Sequence, residues 1–238
     1  MLQQPATPAC GDARSFRHRY AAWCLAAALV CAAALVARHA VSQAAPLEPV
    51  TVDTPAGSAL VERLRQGGLV MYFRHADTTG TACDRTYRIG DRDGQRNISA
   101  DGREQARRLG LAMRELGIPV HEPVLAGPVY RARDTAELAF GAEHVEVTES
   151  LLADDYAGSR VRWVIAEHRR LFTEPVGEGA NRVLVGHRTP GLRALDRQVA
   201  PPSFPEGAAL IIESRENEPR AVGVLMLAPI PGAIGDRC

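Results

Sequence analysis

Residues 69–76, Leu-Val-Met-Tyr-Phe-Arg-His-Ala, place an arginine and a histidine directly after an apolar run. A short apolar run of this kind is typical of a buried β-strand. Open α/β sheets hold their ligands in crevices beyond the carboxyl ends of the strands. At such an end the Arg74 guanidinium matches the geometry of a phosphate, and a neutral His75 imidazole is a competent nucleophile. The segment therefore indicates phosphate chemistry.

Two later segments supply groups of the same kind. An Asn-Arg-Val-Leu-Val-Gly stretch predicts a second strand, and His187 follows it directly. Arg131 comes shortly after a Gly-Pro pair, and proline suits the first turn of a helix. Phosphomonoester hydrolysis without a metal requires cations around the phosphoryl oxygens, an in-line nucleophile and a proton donor. We expect Arg74 and Arg131 to clamp the oxygens. We expect His75 to attack phosphorus, and protonated His187 to stabilise the transition state.

These segments resemble the histidine phosphatase superfamily, in its phosphoglycerate mutase-like branch. The Arg-His-Gly hallmark of that family stands here as Arg-His-Ala at residues 74–76, and its late Gly-His pair stands at residues 186–187. Its Ser-Pro-x-x-Arg-Ala segment corresponds to Gly-Pro-Val-Tyr-Arg-Ala at residues 127–132. Residues 97–106, Asn-Ile-Ser-Ala-Asp-Gly-Arg-Glu-Gln-Ala, are similar to a further family signature. The resemblance covers roughly residues 59–227.

The resemblance implies that Arg74, His75, Arg131 and His187 form one phosphate pocket, with no metal or organic cofactor. It also implies a carboxylic acid downstream of the motif arginine as proton donor. The candidates are Glu149, Asp154 and Asp155, of which we prefer Asp155 and then Asp154. A charge at the start of the following helix explains both aspartates equally well. We expect a further substrate contact from Asn97.

Two positions depart from the family pattern. Ala76 replaces a glycine, and an alanine is acceptable there only if its backbone avoids positive φ. Gly127 replaces the usual serine and removes a hydroxyl group. In the long loop predicted between the first strand and the next helix, several arginines could contact a second acidic group of the substrate or be solvated. They are Arg85, Arg88, Arg92 and Arg96.

Strands that alternate with helices predict a three-layer α/β/α sandwich with a mostly parallel central sheet. We assign this domain to residues 59–238 and a proline-bearing tether to residues 46–58. In the remaining segment, residues 1–45, arginines precede an alanine-rich apolar stretch at residues 20–37. That arrangement predicts a cleaved signal peptide or a single membrane anchor, and therefore a protein exported to the periplasm or tethered outside the inner membrane. Cys83 and Cys238 could form a disulfide in such a compartment, or remain separate thiols.

The composition is neutral, with 28 acidic residues, 28 arginines and no lysine. No net field points to nucleic acid as a partner. The sequence therefore predicts a phosphatase that acts through a phosphohistidine on His75, with a phosphorylated small molecule or envelope glycan as substrate. The alternatives are an inactive module of the same fold that only binds phosphate ligands, and a metal-dependent phosphoesterase.

Overall fold

A computed structural model describes residues 46–80, 83–215 and 218–230 of the chain. Its sheet contains seven strands in the order β1-β7-β6-β2-β5-β3-β4. The strands are β1 (Pro49–Thr51), β2 (Leu69–Arg74), β3 (Val120–Ala126), β4 (Val145–Val147), β5 (Asn181–Gly186), β6 (Ala209–Glu213) and β7 (Arg220–Met226). Strand β6 runs antiparallel to β2 and β7, and the other neighbours are parallel.

Within the described ranges, six helices connect or flank these strands. They are α1 (Pro55–Gln66), α2 (Ala100–Glu115), α3 (Tyr130–Phe140), α4 (Asp154–Ala157), α5 (Val161–Thr173) and α6 (Arg188–Ala194). Short 3-10 turns lie at Ala142–His144, Glu149–Leu151, Gly158–Arg160 and Pro201–Ser203. Helix α2 begins directly after Ser99, whose hydroxyl caps it by accepting a hydrogen bond from the Gly102 N–H.

The central strand β2 is buried along its whole length and divides the core into two layers. Met71 and Phe73 pack with α1, α2 and α3 on one face of the sheet. Val70 and Tyr72 pack with α5 and α6 on the other face. Successive strand residues point to opposite faces, so an apolar run such as 69–73 can supply both layers. The predicted α/β/α architecture with a mostly parallel sheet is confirmed.

The segment 46–58 is not a simple tether, which corrects the sequence analysis. Strand β1 lies within it and pairs with β7, and α1 begins at Pro55. The Thr54 hydroxyl caps this helix by accepting the Gly57 N–H at 3.1 Å. A three-residue edge strand has little signal of its own, because its hydrogen bonds come from a partner far along the chain.

The chain divides into two units, Met1–Ala45 and Pro46–Cys238. The predicted signal peptide or anchor lies in residues 1–45, outside the described residues. In the part that the structure describes, no helix combines the length and apolar character needed to cross a bilayer. Cys83 is disulfide-bonded. Its predicted partner, Cys238, also lies outside the described residues.

Candidate active site

A cavity of about 250 Å³ lies where β2 and β5 end. The four residues that the sequence analysis assigned to a phosphate pocket all line it, together with both candidate aspartates. They are Arg74, His75, Arg131, His187, Asp154 and Asp155. Because β2 and β5 are adjacent and parallel, the residues after their carboxyl ends emerge side by side. The structure therefore brings together groups that are more than 100 residues apart in the chain.

The His75 imidazole is held in one orientation by its own loop. Its Nδ1 lies 2.9 Å from the carbonyl oxygen of Ala76, which can only accept, so Nδ1 carries the proton. The lone pair is therefore on Nε2. Burial, and then the nearby guanidiniums of Arg74 and Arg131, lower the pKa of His75 well below its usual value. The ring is neutral and nucleophilic at ordinary pH.

His187 is positioned through its backbone by a hydroxyl from the neighbouring strand. Tyr72 donates to the His187 carbonyl oxygen at 2.7 Å and accepts from the His187 N–H at 2.8 Å. A Cβ on Gly186 would lie 2.5 Å from this hydroxyl, so only glycine leaves room for it. The pKa of His187 is also well below its usual value, chiefly through burial and then through Arg131. Its buried Nε2 has no hydrogen-bond partner among the described residues.

Arg74 is fixed by groups that follow the last 3-10 turn. One Nη donates to the Phe204 carbonyl oxygen, and the other forms an ion pair with Glu206 at 3.1 Å. The Glu206 carboxylate also accepts the N–H and hydroxyl of Thr78 and lies 3.5 Å from the Arg96 guanidinium. Glu206 therefore ties the Arg74 side chain to the loop after β2. Glu206 could not be predicted from the sequence, since its partners are remote in the chain and no motif marks it.

Arg131 lies in the first turn of α3 and is almost completely buried. Its Nη1 binds both carboxylate oxygens of Asp84, at 3.0 and 3.2 Å. Its Nε is buried and has no hydrogen-bond partner among the described residues. The guanidinium also lies 5.9 Å from the centre of the Tyr156 ring. One side of Arg131 is thus anchored by the long loop, and the buried Nε remains available for a ligand.

Thr135 joins the two halves of the site. Its hydroxyl donates to the Arg131 carbonyl oxygen at 2.7 Å and accepts the Ala76 N–H at 2.9 Å. A single side chain therefore couples the start of α3 to the loop that holds His75. Ala76 avoids positive φ, as the sequence analysis requires for an alanine at this position.

The two candidate aspartates differ in their surroundings. Burial, together with the neighbouring Asp155 carboxylate, raises the pKa of Asp154 to about 6. A carboxylic acid that keeps its proton near neutrality can protonate a leaving group. Glu149, the third candidate, instead forms an exposed ion pair with Arg160 and does not line the cavity.

Most of the other residues that the sequence predicts to contact substrate do not line the cavity. Asn97 does not line it, and its amide donates to the carbonyl oxygens of Arg92 and Gln95 within the loop. Arg92 pairs with Asp134, whereas Arg96 reaches the cavity wall. In the described ranges, no three His, Cys, Asp or Glu side chains are grouped as metal ligands would be.

Gly127, which stands where the family has serine, lies against the segment that carries the aspartates. A Cβ at this position would be 2.3 Å from the Leu151 carbonyl oxygen. The missing side chain thus lets residues 151–155 approach the start of α3 closely. The close approach explains the departure from the family pattern.

Comparison with known proteins agrees with this site. Residues 70–154 match the family model of the histidine phosphatase superfamily (branch 1). The matched stretch contains Arg74, His75, Arg131 and Asp154 and ends before His187. The resemblance inferred from the sequence is thereby confirmed. A search of curated proteins gave no significant match.

Several solved structures are similar to this chain at low sequence identity. The protein histidine phosphatase SixA complexed with tungstate is 17% identical, with a TM-score of 0.46, covering 67% of this chain and 97% of its own. A putative alpha-ribazole-5'-P phosphatase from Escherichia coli is 15% identical, with a TM-score of 0.46, covering 68% and 98%. The open reading frame Rv3214 product of Mycobacterium tuberculosis is 17% identical, with a TM-score of 0.48, covering 67% and 98%.

Proposed function

From the premise of a histidine phosphatase superfamily domain over residues 70–154, we propose that this protein hydrolyses phosphomonoesters through a phosphohistidine on His75, without a metal. The observation that carries the proposal is the hydrogen bond from His75 Nδ1 to the Ala76 carbonyl oxygen. This hydrogen bond leaves the Nε2 lone pair free to attack a phosphorus atom whose oxygens are bound by two guanidiniums. The match to this family model supports phosphatase activity in general. We assign the catalytic roles of the individual residues ourselves.

In the first step, His75 Nε2 attacks phosphorus while the bond from phosphorus to the leaving oxygen breaks. Arg74 and Arg131 bind the equatorial oxygens, and the unpartnered Arg131 Nε is one of the donors. His187 Nε2, also unpartnered, donates to a phosphoryl oxygen. These donors are already in place, so little reorganisation is needed as charge develops.

Asp154 supplies the proton that the leaving oxygen requires. Its raised pKa of about 6 keeps part of the population protonated near neutral pH. In the second step the Asp154 carboxylate accepts a proton from water, the water oxygen attacks phosphorus, and the bond to Nε2 breaks. Inorganic phosphate leaves, and both residues return to their starting states.

We propose an exported or membrane-tethered location and a phosphorylated small molecule or envelope glycan as substrate. The arginine-flanked apolar stretch in residues 20–37 supports export. The disulfide at Cys83 also supports it, since disulfides persist in oxidising compartments. Mass spectrometry of the mature N-terminus and of the cell fraction tests the location. Recovery of the intact protein in the cytoplasm with Cys83 reduced would contradict it.

The mechanism is tested by rapid acid-free quenching of the full chain during turnover of p-nitrophenyl phosphate, followed by peptide mass spectrometry. We expect phosphate on the peptide that contains His75, and turnover that survives EDTA. His75→Ala should abolish both phosphorylation and turnover. His144→Ala, at an exposed histidine outside the cavity, should change neither.

Three outcomes would contradict the proposal. Turnover by His75→Ala would exclude this nucleophile. Loss of wild-type turnover on chelation would favour a metal-dependent phosphoesterase. Phosphate binding without any turnover would favour an inactive binding module.

A further inference from the structure

A second cavity, of about 360 Å³, adjoins the first. The two share Arg188 and Thr189 in their walls, at the start of α6. The second cavity extends along α6 and the turn that follows it. A substrate whose phosphoryl group reaches His75 therefore has room beside it for a larger leaving group.

The walls of this cavity combine positive charge with an apolar surface. Three arginines, Arg188, Arg193 and Arg197, line it. Leu192, Val199 and Pro201 provide the apolar part. Guanidinium groups at the rim of an apolar pocket suit a ligand that has an apolar body and an anionic group.

Neither Arg193 nor Arg197 forms an ion pair with a carboxylate among the described residues. Asp196, which lies between them in the sequence, pairs instead with Arg169 at 2.7 Å. The catalytic arginines differ, because Arg74 and Arg131 each bind a carboxylate. The second cavity therefore carries positive charge that a ligand can balance.

The position of Arg193 indicates that the second cavity lies on the side of the site where the leaving group departs. Asp154 lines the first cavity together with Arg188 and Thr189, and these two residues also line the second cavity beside Arg193. The charge of Arg193 also acts on the Asp154 carboxyl. Asp154 is the group that we assign to protonate the leaving oxygen. The leaving group, which must lie beside its proton donor, is thus directed towards Arg193.

We infer that the second cavity binds the leaving group of the substrate, and that this group carries a second anion, a carboxylate or a phosphate, on an apolar body. The inference rests on the proposed phosphatase function and adds the substrate class. Arg193 and Arg197 bind the second anion, while Leu192 and Val199 contact the apolar body.

The test compares three para-substituted phenyl phosphates with the full chain. Their substituents are a carboxylate, a phosphonomethyl group and an uncharged carboxamide. We expect a higher kcat/KM for one or both anionic substrates than for the carboxamide. The anion that gains more identifies the second group as carboxylate or phosphate.

Arginine variants then locate the preference. Arg193→Gln and Arg197→Gln should each lower the ratio of anionic to carboxamide kcat/KM roughly fivefold, the effect of losing an exposed ion pair. The ratio cancels any effect of Arg193 on Asp154, which acts on all three substrates alike. Arg108→Gln is the control, since this exposed arginine lies on α2, which packs on the opposite face of the sheet.

The outcomes separate this inference from the function on which it rests. Hydrolysis of all three substrates with equal kcat/KM, or a ratio unchanged in both variants, would overturn the inference and leave the phosphatase assignment intact. Failure to hydrolyse any of them would overturn the phosphatase assignment itself. A ratio that falls equally in Arg108→Gln would mean that only general surface charge is involved.

Discussion

The imidazole rings of His75 and His187 lie with their centroids 5.5 Å apart and their planes inclined at 56°. Both are buried, and burial together with neighbouring guanidiniums lowers the pKa of each ring. Neither neutral ring therefore contributes positive charge to the cavity. That charge comes from the arginines. A bound phosphate dianion favours protonation of His187, so this residue can gain its charge when substrate binds.

The first prediction concerns Asp154 and the leaving group. Asp154→Asn should lower kcat on the order of a hundredfold for an alkyl phosphate such as glycerol phosphate, since an alkoxide needs a proton. The loss with p-nitrophenyl phosphate should be much smaller, because nitrophenolate is stable without one. Steady-state kinetics of both substrates give the comparison. A larger effect of Asp155→Asn would restore the preference that the sequence alone suggested.

The second prediction concerns the pH dependence of the same step. The acid must be protonated, so kcat for the alkyl phosphate should fall as pH rises above the pKa of Asp154, about 6 in the free protein. Bound phosphate raises the pKa of Asp154, so this fall in kcat moves to higher pH. The phosphate group of the substrate also ionises in this pH range. Asp154→Asn separates the two effects, because its kcat depends on pH only through ionisation of the substrate. A wild-type profile that matches the variant would rule out Asp154 as the acid.

The third prediction concerns Arg131. Arg131→Ala should lower kcat/KM on the order of a hundredfold, as for the loss of one preorganised donor. Arg131→Lys should recover only part of this loss, since an ammonium group cannot form two parallel hydrogen bonds. Arg133→Ala is the control, because Arg133 lies two residues along the same helix, is exposed and pairs with Glu137. Comparable losses in Arg131→Ala and Arg133→Ala would show that only the charge of α3 matters.

The four residues of the phosphate pocket could be predicted from the sequence because each follows a local pattern, namely a strand end or a helix start. Their catalytic roles stay predictions. The residues that hold them could not be predicted in the same way. Glu206 contacts Arg74 across 132 residues, and Asp84 contacts Arg131 from inside a loop without regular structure. Such contacts depend on how the chain folds back, which local spacing does not encode.

The choice between the two adjacent aspartates shows the same limit. The sequence led us to prefer Asp155, whereas burial in the folded protein raises the pKa of Asp154 and favours it as the acid. The fold was easier to predict than its edges. The apolar runs of β2 and β5 are long enough to identify, whereas β1 depends on pairing with β7. The second cavity along α6 had no motif at all.

The fourth prediction concerns the Tyr72 hydroxyl. Tyr72→Phe leaves the buried N–H of His187 without its partner, at about 1–3 kcal/mol for a group that water cannot reach, and leaves the His187 carbonyl oxygen with only the Gly191 N–H at 3.4 Å. We expect a lower free energy of unfolding in urea, and a lower kcat as His187 shifts. Tyr87→Phe is the matched control, since Tyr87 is 52% exposed and should lose little. Equal stability of the two variants would show that His187 is held by the strand alone.

The last prediction concerns Gly127 and the approach of the proton donor to the pocket. Gly127→Ala places a Cβ 2.3 Å from the Leu151 carbonyl oxygen, and the backbone must move to relieve this contact. Overpacking of this kind costs about 1–3 kcal/mol. Because Asp154 follows Leu151 by only three residues, a shift of the Leu151 backbone should also displace Asp154. The loss in kcat should then be greater for an alkyl phosphate than for p-nitrophenyl phosphate.

Gly177→Ala provides the control for that comparison, as a Cβ there meets no heavy atom within 4 Å. Its unfolding free energy should stay within about 0.5 kcal/mol of the wild type. If Gly127→Ala is destabilised but loses activity equally on both substrates, the glycine serves packing only. If it is as stable as Gly177→Ala, the close approach of Leu151 is not what requires a glycine. A loss of kcat on the alkyl phosphate alone would show that the glycine at position 127, where the family has serine, helps to position the acid Asp154.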